Sequence, residues 1–420
     1  MNVYPIHLYS RQILFKMNFR ILFFLLLIGP VVCAQSINTN AAPQTNSNMN
    51  VNESESLEEQ AIDTVSFTKE QEKREESIQK KKQTEKLKDL NTTVTYGYSA
   101  ETTQQLQQVS GLFTATRQQA STQRTQRTPN AAQQQQMNQY VELLSQAAPE
   151  SFEFHYYTYI AGNYNMALID HLLKAETLRP DNSDVHIQLA AFHLISQNFE
   201  EAKKYLKKLH TNGRITETMI LYGQDVLRSV PENGCAITHG FEDNFGTVYA
   251  QLFMNERTDI TIISLDFLQS ESYRSTLKNK GFTFPNSTTI DVSFLTNFCA
   301  LNSTKNLGVS LTVPKEYLVP IQQNLYVSGL VMEFHPDGCT GNFERNEDLW
   351  NNTLSVSIVK NGRDKARSLS ANYLPMLLLL RNEYQRRGQL EQVKKIDAAL
   401  DQIAVQCGKY EQVQSIKASY

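Results

Sequence analysis

The sequence predicts a multidomain α and α/β protein: helical hairpins packed with a small, mostly parallel α/β sheet module, preceded by a disordered arm. Three observations carry this. Apolar residues recur at helical spacing from Gln139 to Ser229 and again from Tyr373 to Val405. Short β-branched runs alternate with helical stretches after Pro231. The hydrophobic share is 40 %, the net charge is -3, and the hydrophobic deficit is concentrated before residue 138. Mean hydropathy is -0.42 and the isoelectric point about 6.3, which argues against a protein whose main work is neutralising nucleic acid or an anionic membrane surface.

Lys16 and Arg20 precede the apolar run Ile21–Ile28, which is broken by Gly29-Pro30 and followed by Val32-Cys33-Ala34. A charged flank, a short apolar core and a small-residue end read as a signal peptide over residues 1–34, with cleavage before Gln35. The core is shorter than the roughly 20 residues a bilayer span needs, so the mature chain is expected to carry no transmembrane span and to be exported, periplasmic or associated with the cell envelope. Lipidation of Cys33 is the alternative, though Val31 and Val32 before it are poor company for such a site. Residues 35–137 read as a disordered or helical low-complexity arm. Its first part is Asn, Gln, Ser and Glu with scarcely a large apolar side chain, the stretch Lys69–Asp89 is densely charged, and residues 101–140 hold 13 Gln.

Residues 138–230 carry the helical pattern, with breaks at Pro149, Gly162 and Pro180. Gly162-Asn163-Tyr164-Asn165-Met166-Ala167 and Gln197-Asn198-Phe199-Glu200-Glu201-Ala202 are alike, and Ala167 and Ala202 lie 35 residues apart. This pattern resembles the tetratricopeptide repeat, a helix-turn-helix unit of about 34 residues. Leu189 and Ala190 fall on its Leu-Gly pair, Phe199 on the aromatic after the turn, Ala202 on the small residue where helices touch, and Leu206 on the next core position. The resemblance implies a surface for a protein or peptide partner. Residues 231–345 read as the α/β module, with strands at Cys235–Thr238, within Ile260–Leu268, at Gly308–Val313 and at Tyr326–Phe334, and helices at Phe245–Met254 and Ser270–Lys280. Residues 346–365 read as a linker and 366–420 as a C-terminal helical hairpin.

Thr238-His239-Gly240-Phe241-Glu242-Asp243-Asn244-Phe245, Tyr249-Ala250-Gln251 and Arg257–Leu265, together with Tyr317-Leu318, Gly329-Leu330-Val331 and Asn372–Pro375, carry a second resemblance. Over roughly residues 230–405 the chain is similar to the soluble C-terminal region of a bacterial membrane-protein family of unknown function, itself described as similar to protein O-mannosyltransferases. The family's transmembrane helices are absent and Phe241 replaces the first Asp of its acidic loop, so the resemblance implies the soluble fold and not a transferase activity.

Chemistry is sparse. His239, Glu242, Asp243 and Asn244 lie in the loop after the first strand, where open α/β sheets bind ligands, and His335 ends a later strand expected to reach the same edge. They are the candidate site for a small polar ligand. The competing reading is that Asp243 or Asn244 caps a helix beginning at Phe245. No phosphate-cradling Gly-rich loop, metalloprotease motif or nucleophile elbow occurs, and no cofactor or metal is expected. Cys235, Cys299, Cys339 and Cys407 are too widely spaced for a metal knuckle; at most one disulfide is expected. The function expected is thus an exported, non-catalytic interaction scaffold for an envelope protein or peptide, with a ligand-binding or enzymatic α/β domain as the alternative.

Overall fold

A run of glutamines, threonines and a few large apolar residues opens the described part of the chain. In the computed structural model, residues 98–355 and 367–419 are described; nearly all belong to the unit Glu101–Tyr420. Residues 1–97, on which the expected signal peptide and most of the expected arm fall, and residues 356–366 and 420 lie outside the described residues.

The Gln-rich tract read as a tether is helix. α1 spans Ala100–Ser121 and α2 Ala131–Ala147. Gln is a good helix former, and Leu106, Val109, Phe113, Thr116 and Ala120 of α1 are buried on one face. α2 starts in a capping box: Asn130 Oδ1 accepts from Gln133 N–H at 2.9 Å and Gln133 Oε1 accepts from Asn130 N–H at 3.0 Å. Of the stretch 35–137, expected as a disordered or helical arm, the part from Ala100 onward is therefore largely packed helix. The stripe was missed because four apolar residues spread over 22 barely raise the local hydropathy.

α3 (Phe152–Ala161) packs on α4 (Ile169–Leu178) and α5 (Ser183–Ile195) on α6 (Phe199–Thr211), and α7 (Glu217–Ser229) packs on the helix that follows β1. Ser151, Asn182, Asn198 and Thr216 cap four of them with side-chain oxygens. Ala175, Leu189, Ala190, Ala202 and Leu206 are fully buried where the helices touch, as small residues at crossings allow. Phe199 instead stays 39 % exposed.

The sheet is mixed. β1 (Cys235–Thr238), β2 (Thr261–Ser264), β3 (Leu307–Ser310), β4 (Leu325–Ser328) and β5 (Val331–Phe334) stand in the order β2-β1-β3-β5-β4. β1 is parallel to β2 and β3, while β5 is antiparallel to both β3 and β4. "Mostly parallel" thus holds for the first three strands only. The run Tyr326–Phe334 is not one strand but a hairpin folded at Gly329-Leu330, with Gly329 at φ +56° and its N–H donating to Asn346 Oδ1 at 2.9 Å. Two fully buried strands back to back cannot be told from one by alternation. α8 (Gly240–Met254) connects β1 to β2, and α9 (Glu271–Asn279) with α10 (Val292–Leu301) connects β2 to β3. α8 begins five residues before the expected Phe245.

Residues 342–353, partly assigned to a linker, form α12 (Asn342–Asp348) and a π-helical turn, Leu349–Thr353, preceded in sequence by the one-turn α11 (Lys315–Leu318). After α13 (Arg367–Ser370) come α14 (Leu374–Arg386), α15 (Leu390–Gln406) and α16 (Tyr410–Ala418). Leu374, Met376, Leu377, Leu378 and Leu380 are buried in one core with α5 to α8 and the sheet. Asn372 Nδ2 donates to Tyr222 Oη at 2.9 Å and Tyr373 Oη to Asp225 Oδ2 at 2.7 Å, which ties α14 to α7. Cys235, Cys299, Cys339 and Cys407 all carry thiols.

Candidate functional site

β1 is the turning point of the parallel strands: the chain leaves it for β2 on one side and later returns to β3 on the other. The crevice beyond the carboxyl ends of β1 and β3 is where open α/β sheets take ligands. His239, extended at φ −143° and ψ 137°, caps α8, and Gly240 follows at φ +75°, a left-handed value that glycine adopts without a Cβ clash. Ser310 ends β3 with Thr312 two residues beyond it, and Asp266 lies two residues past the end of β2.

Asp243, 1 % exposed, turns back from the first turn of α8. Its Oδ2 accepts from the His239 backbone N–H at 3.0 Å and the Thr312 hydroxyl at 2.7 Å. Asp266 Oδ2 accepts from Gly240 N–H at 2.8 Å. Asn244 Oδ1 accepts from the Thr238 hydroxyl at 2.8 Å. The helix N-terminus, a natural seat for an anion, is already occupied by two carboxylates of the chain itself.

Three of the five candidate residues, His239, Asp243 and Asn244, therefore gather here. Glu242 is exposed on α8. His335 is corrected: the antiparallel register pairs Ser310 with Val331 and Gly308 with Glu333, so the end of β5 lies at the opposite end of the sheet from Thr238. There its Nε2 meets Glu333 Oε2 at 2.9 Å, and Arg345 meets the other oxygen of Glu333 at 2.7 Å.

The residue that sequence reasoning missed is Arg127, from the Gln-rich tract. It is 8 % exposed and donates to His239 Nε2, with Asp266 Oδ1 at 3.8 Å. A guanidinium only donates, so His239 Nε2 is an acceptor and the ring is neutral. No motif announces Arg127, one of two Arg in Thr122–Thr128. Ser310 and Thr312 were legible as residues ending a strand at the crevice.

Electrostatics follow from burial. The Asp243 carboxyl is pushed up to about 6, first because burial disfavours its charge and further because Asp266 is near, against the His239 N–H and the Thr312 and Ser310 hydroxyls that lower it. His239 is lowered, by burial first and by Arg127, with Asp266 opposing. Asp243 Oδ1 has no partner in hydrogen-bonding geometry among the described residues. The cradle is thus rich in acceptors and poor in cations of its own, suited to a donor group and not to a phosphate.

Among the described residues no group of three or more His, Cys, Asp or Glu is arranged to hold a metal ion, and no helix is long and apolar enough to cross a membrane. No family model, curated protein or solved structure matches the chain.

Proposed function

We propose that the protein is an exported, non-catalytic interaction scaffold whose helical hairpins, of tetratricopeptide type, bind a protein or peptide partner in the cell envelope. The observation that carries this reading is the use of the crevice acids as helix caps: Asp243 and Asp266 are engaged with backbone N–H groups of the segment they flank, which is what capping demands. The hairpins meanwhile leave Leu173 and Phe199 exposed on α4 and α6, side chains that a partner can cover.

The test is capture of the partner from the envelope with wild type, with a Leu173→Arg/Phe199→Arg variant, and with Leu390→Lys as a still more exposed control on α15. The partner should be lost from the hairpin variant alone. Retention by that variant would replace this reading with a surface elsewhere. Export has its own check: mass spectrometry of the purified protein should show a chain starting at Gln35 without lipid, and a diacylated Cys33 would overturn that.

A further inference from the structure

Between α1 and α2, residues 122–128 form a bent strap that brings Arg127 to His239 at the carboxyl end of β1. Main-chain bonds hold it: Arg127 N–H donates to Ile290 O at 2.8 Å, and Val292 N–H to Thr125 O at 3.2 Å. Gln126 forms an antiparallel bridge with Asp291. Ile290 N–H donates to Thr128 Oγ1 at 3.2 Å. One side chain, Arg127, enters the crevice, donating to His239 and to the carbonyls of Ser121 (3.1 Å) and Gln123. Arg124 pairs at the surface with Glu316 at 2.8 Å.

Two features set the strap apart from the core it touches. Its sequence, Thr-Gln-Arg-Thr-Gln-Arg-Thr, has no apolar side chain to bury. It is held by hydrogen bonds and a surface ion pair rather than by apolar burial, which places its opening below global unfolding. The cradle also keeps acceptor capacity that Arg127 leaves unused. Asp243 Oδ1 is buried without a partner in hydrogen-bonding geometry, and Asp266 Oδ1 stands at 3.8 Å, beyond hydrogen-bond reach.

We propose that the crevice is a receptor for an arginine side chain carried on an extended protein segment, that the strap is its resident occupant, and that an arginine-bearing segment of a partner displaces the strap by adding beside Asp291. Guanidinium suits the cradle because it is a fork of donors without acceptors, facing carboxylates and a neutral imidazole. Adding an extended segment to backbone already used for a bridge is a known mode of peptide recognition. This surface is separate from the hairpins, and it binds rather than reacts.

The experiment uses the full chain and a labelled synthetic peptide of residues 122–130. By fluorescence anisotropy, the Arg127→Ala protein should bind the peptide at least about tenfold tighter than wild type does, because its own strap no longer competes. It should bind a peptide with Ala at the second arginine at least about tenfold more weakly. Hydrogen exchange of the wild-type protein is the second arm, and it stands even where the variant does not fold: fragments covering residues 122–130 should exchange faster than those covering β1. Absence of peptide binding, indifference to the peptide's arginine, or strap amides that exchange only together with β1 would each overturn the proposal.

Discussion

Asp243 takes up a proton in the folded chain at about pH 6, whereas in the unfolded chain it is already ionised above about 3.8. Between those values the native state binds more protons, so this group's contribution to stability falls as pH rises, and the full cost of about 3 kcal/mol is in place above the window. His239 acts in the opposite direction. Its folded value lies below 6.5, so the unfolded chain protonates first on acidification, and stability is lost as pH falls below about 6.5. Asp243→Asn keeps an oxygen for the His239 N–H and the Thr312 hydroxyl while removing the buried charge. The variant should be more stable than wild type by about 1–3 kcal/mol near pH 8, the difference shrinking toward pH 4; denaturant titrations at both values check it. An equal loss at both would mean that the carboxylate's charge is not held against burial. The sequence showed Asp243 as a helix-cap candidate, but its burial and its orphaned oxygen depend on α7 and β3 packing over it.

Two glycines in helices separate propensity from packing. Gly111 in α1 is exposed, and a Cβ there would meet nothing within 4 Å. Gly111→Ala should therefore stabilise the chain by about 0.5–1 kcal/mol through backbone entropy alone. Gly246 in α8 lies against α7: its Cβ would come 2.2 Å from Met219 O, and one on Gly223 would come 2.5 Å from Gly246 C. Gly246→Ala must push the helices apart and should cost about 3 kcal/mol or more. Urea titrations of both variants check the opposite signs. Helix periods and cap residues made α3 to α7 readable in the sequence. The α7–α8 contact was not, because a glycine in a helical run reads only as a weakness in propensity until the facing backbone is known.

At the scale of the whole molecule, the C-terminal hairpin closes the larger of the two hydrophobic clusters among the described residues. Leu374, Leu377, Leu378 and Leu380 are buried with α7, α8 and the sheet, each worth about 1.5–3 kcal/mol. Tyr373 meets the fully buried Asp225. Against a typical net stability of about 5–15 kcal/mol, deleting residues 370–420 should abolish cooperative melting of everything from Ala100 onward. A truncated chain that melted at the wild-type temperature would mark the hairpin as an independent tail.

The sequence by itself determined where helices alternate with short apolar strands, that the apolar face of Leu374–Leu380 needs cover, and that the loop after β1 holds the acids of a helix N-terminus. Those features depend on periodicity, local hydrogen-bond chemistry and the burial that leucine requires, all of which act over a few residues. Only the tertiary structure decided three others. It divided Tyr326–Phe334 into a hairpin and so sent His335 to the far end of the sheet. It made a helix of the Gln-rich tract, whose sparse apolar stripe matters only once α3 is there to meet it. It carried Arg127 across 112 residues of sequence to His239. Pairings of that separation leave no mark on local composition, because the energy that selects them is a main-chain bridge and a buried charge contact that exist only when both partners are already in place.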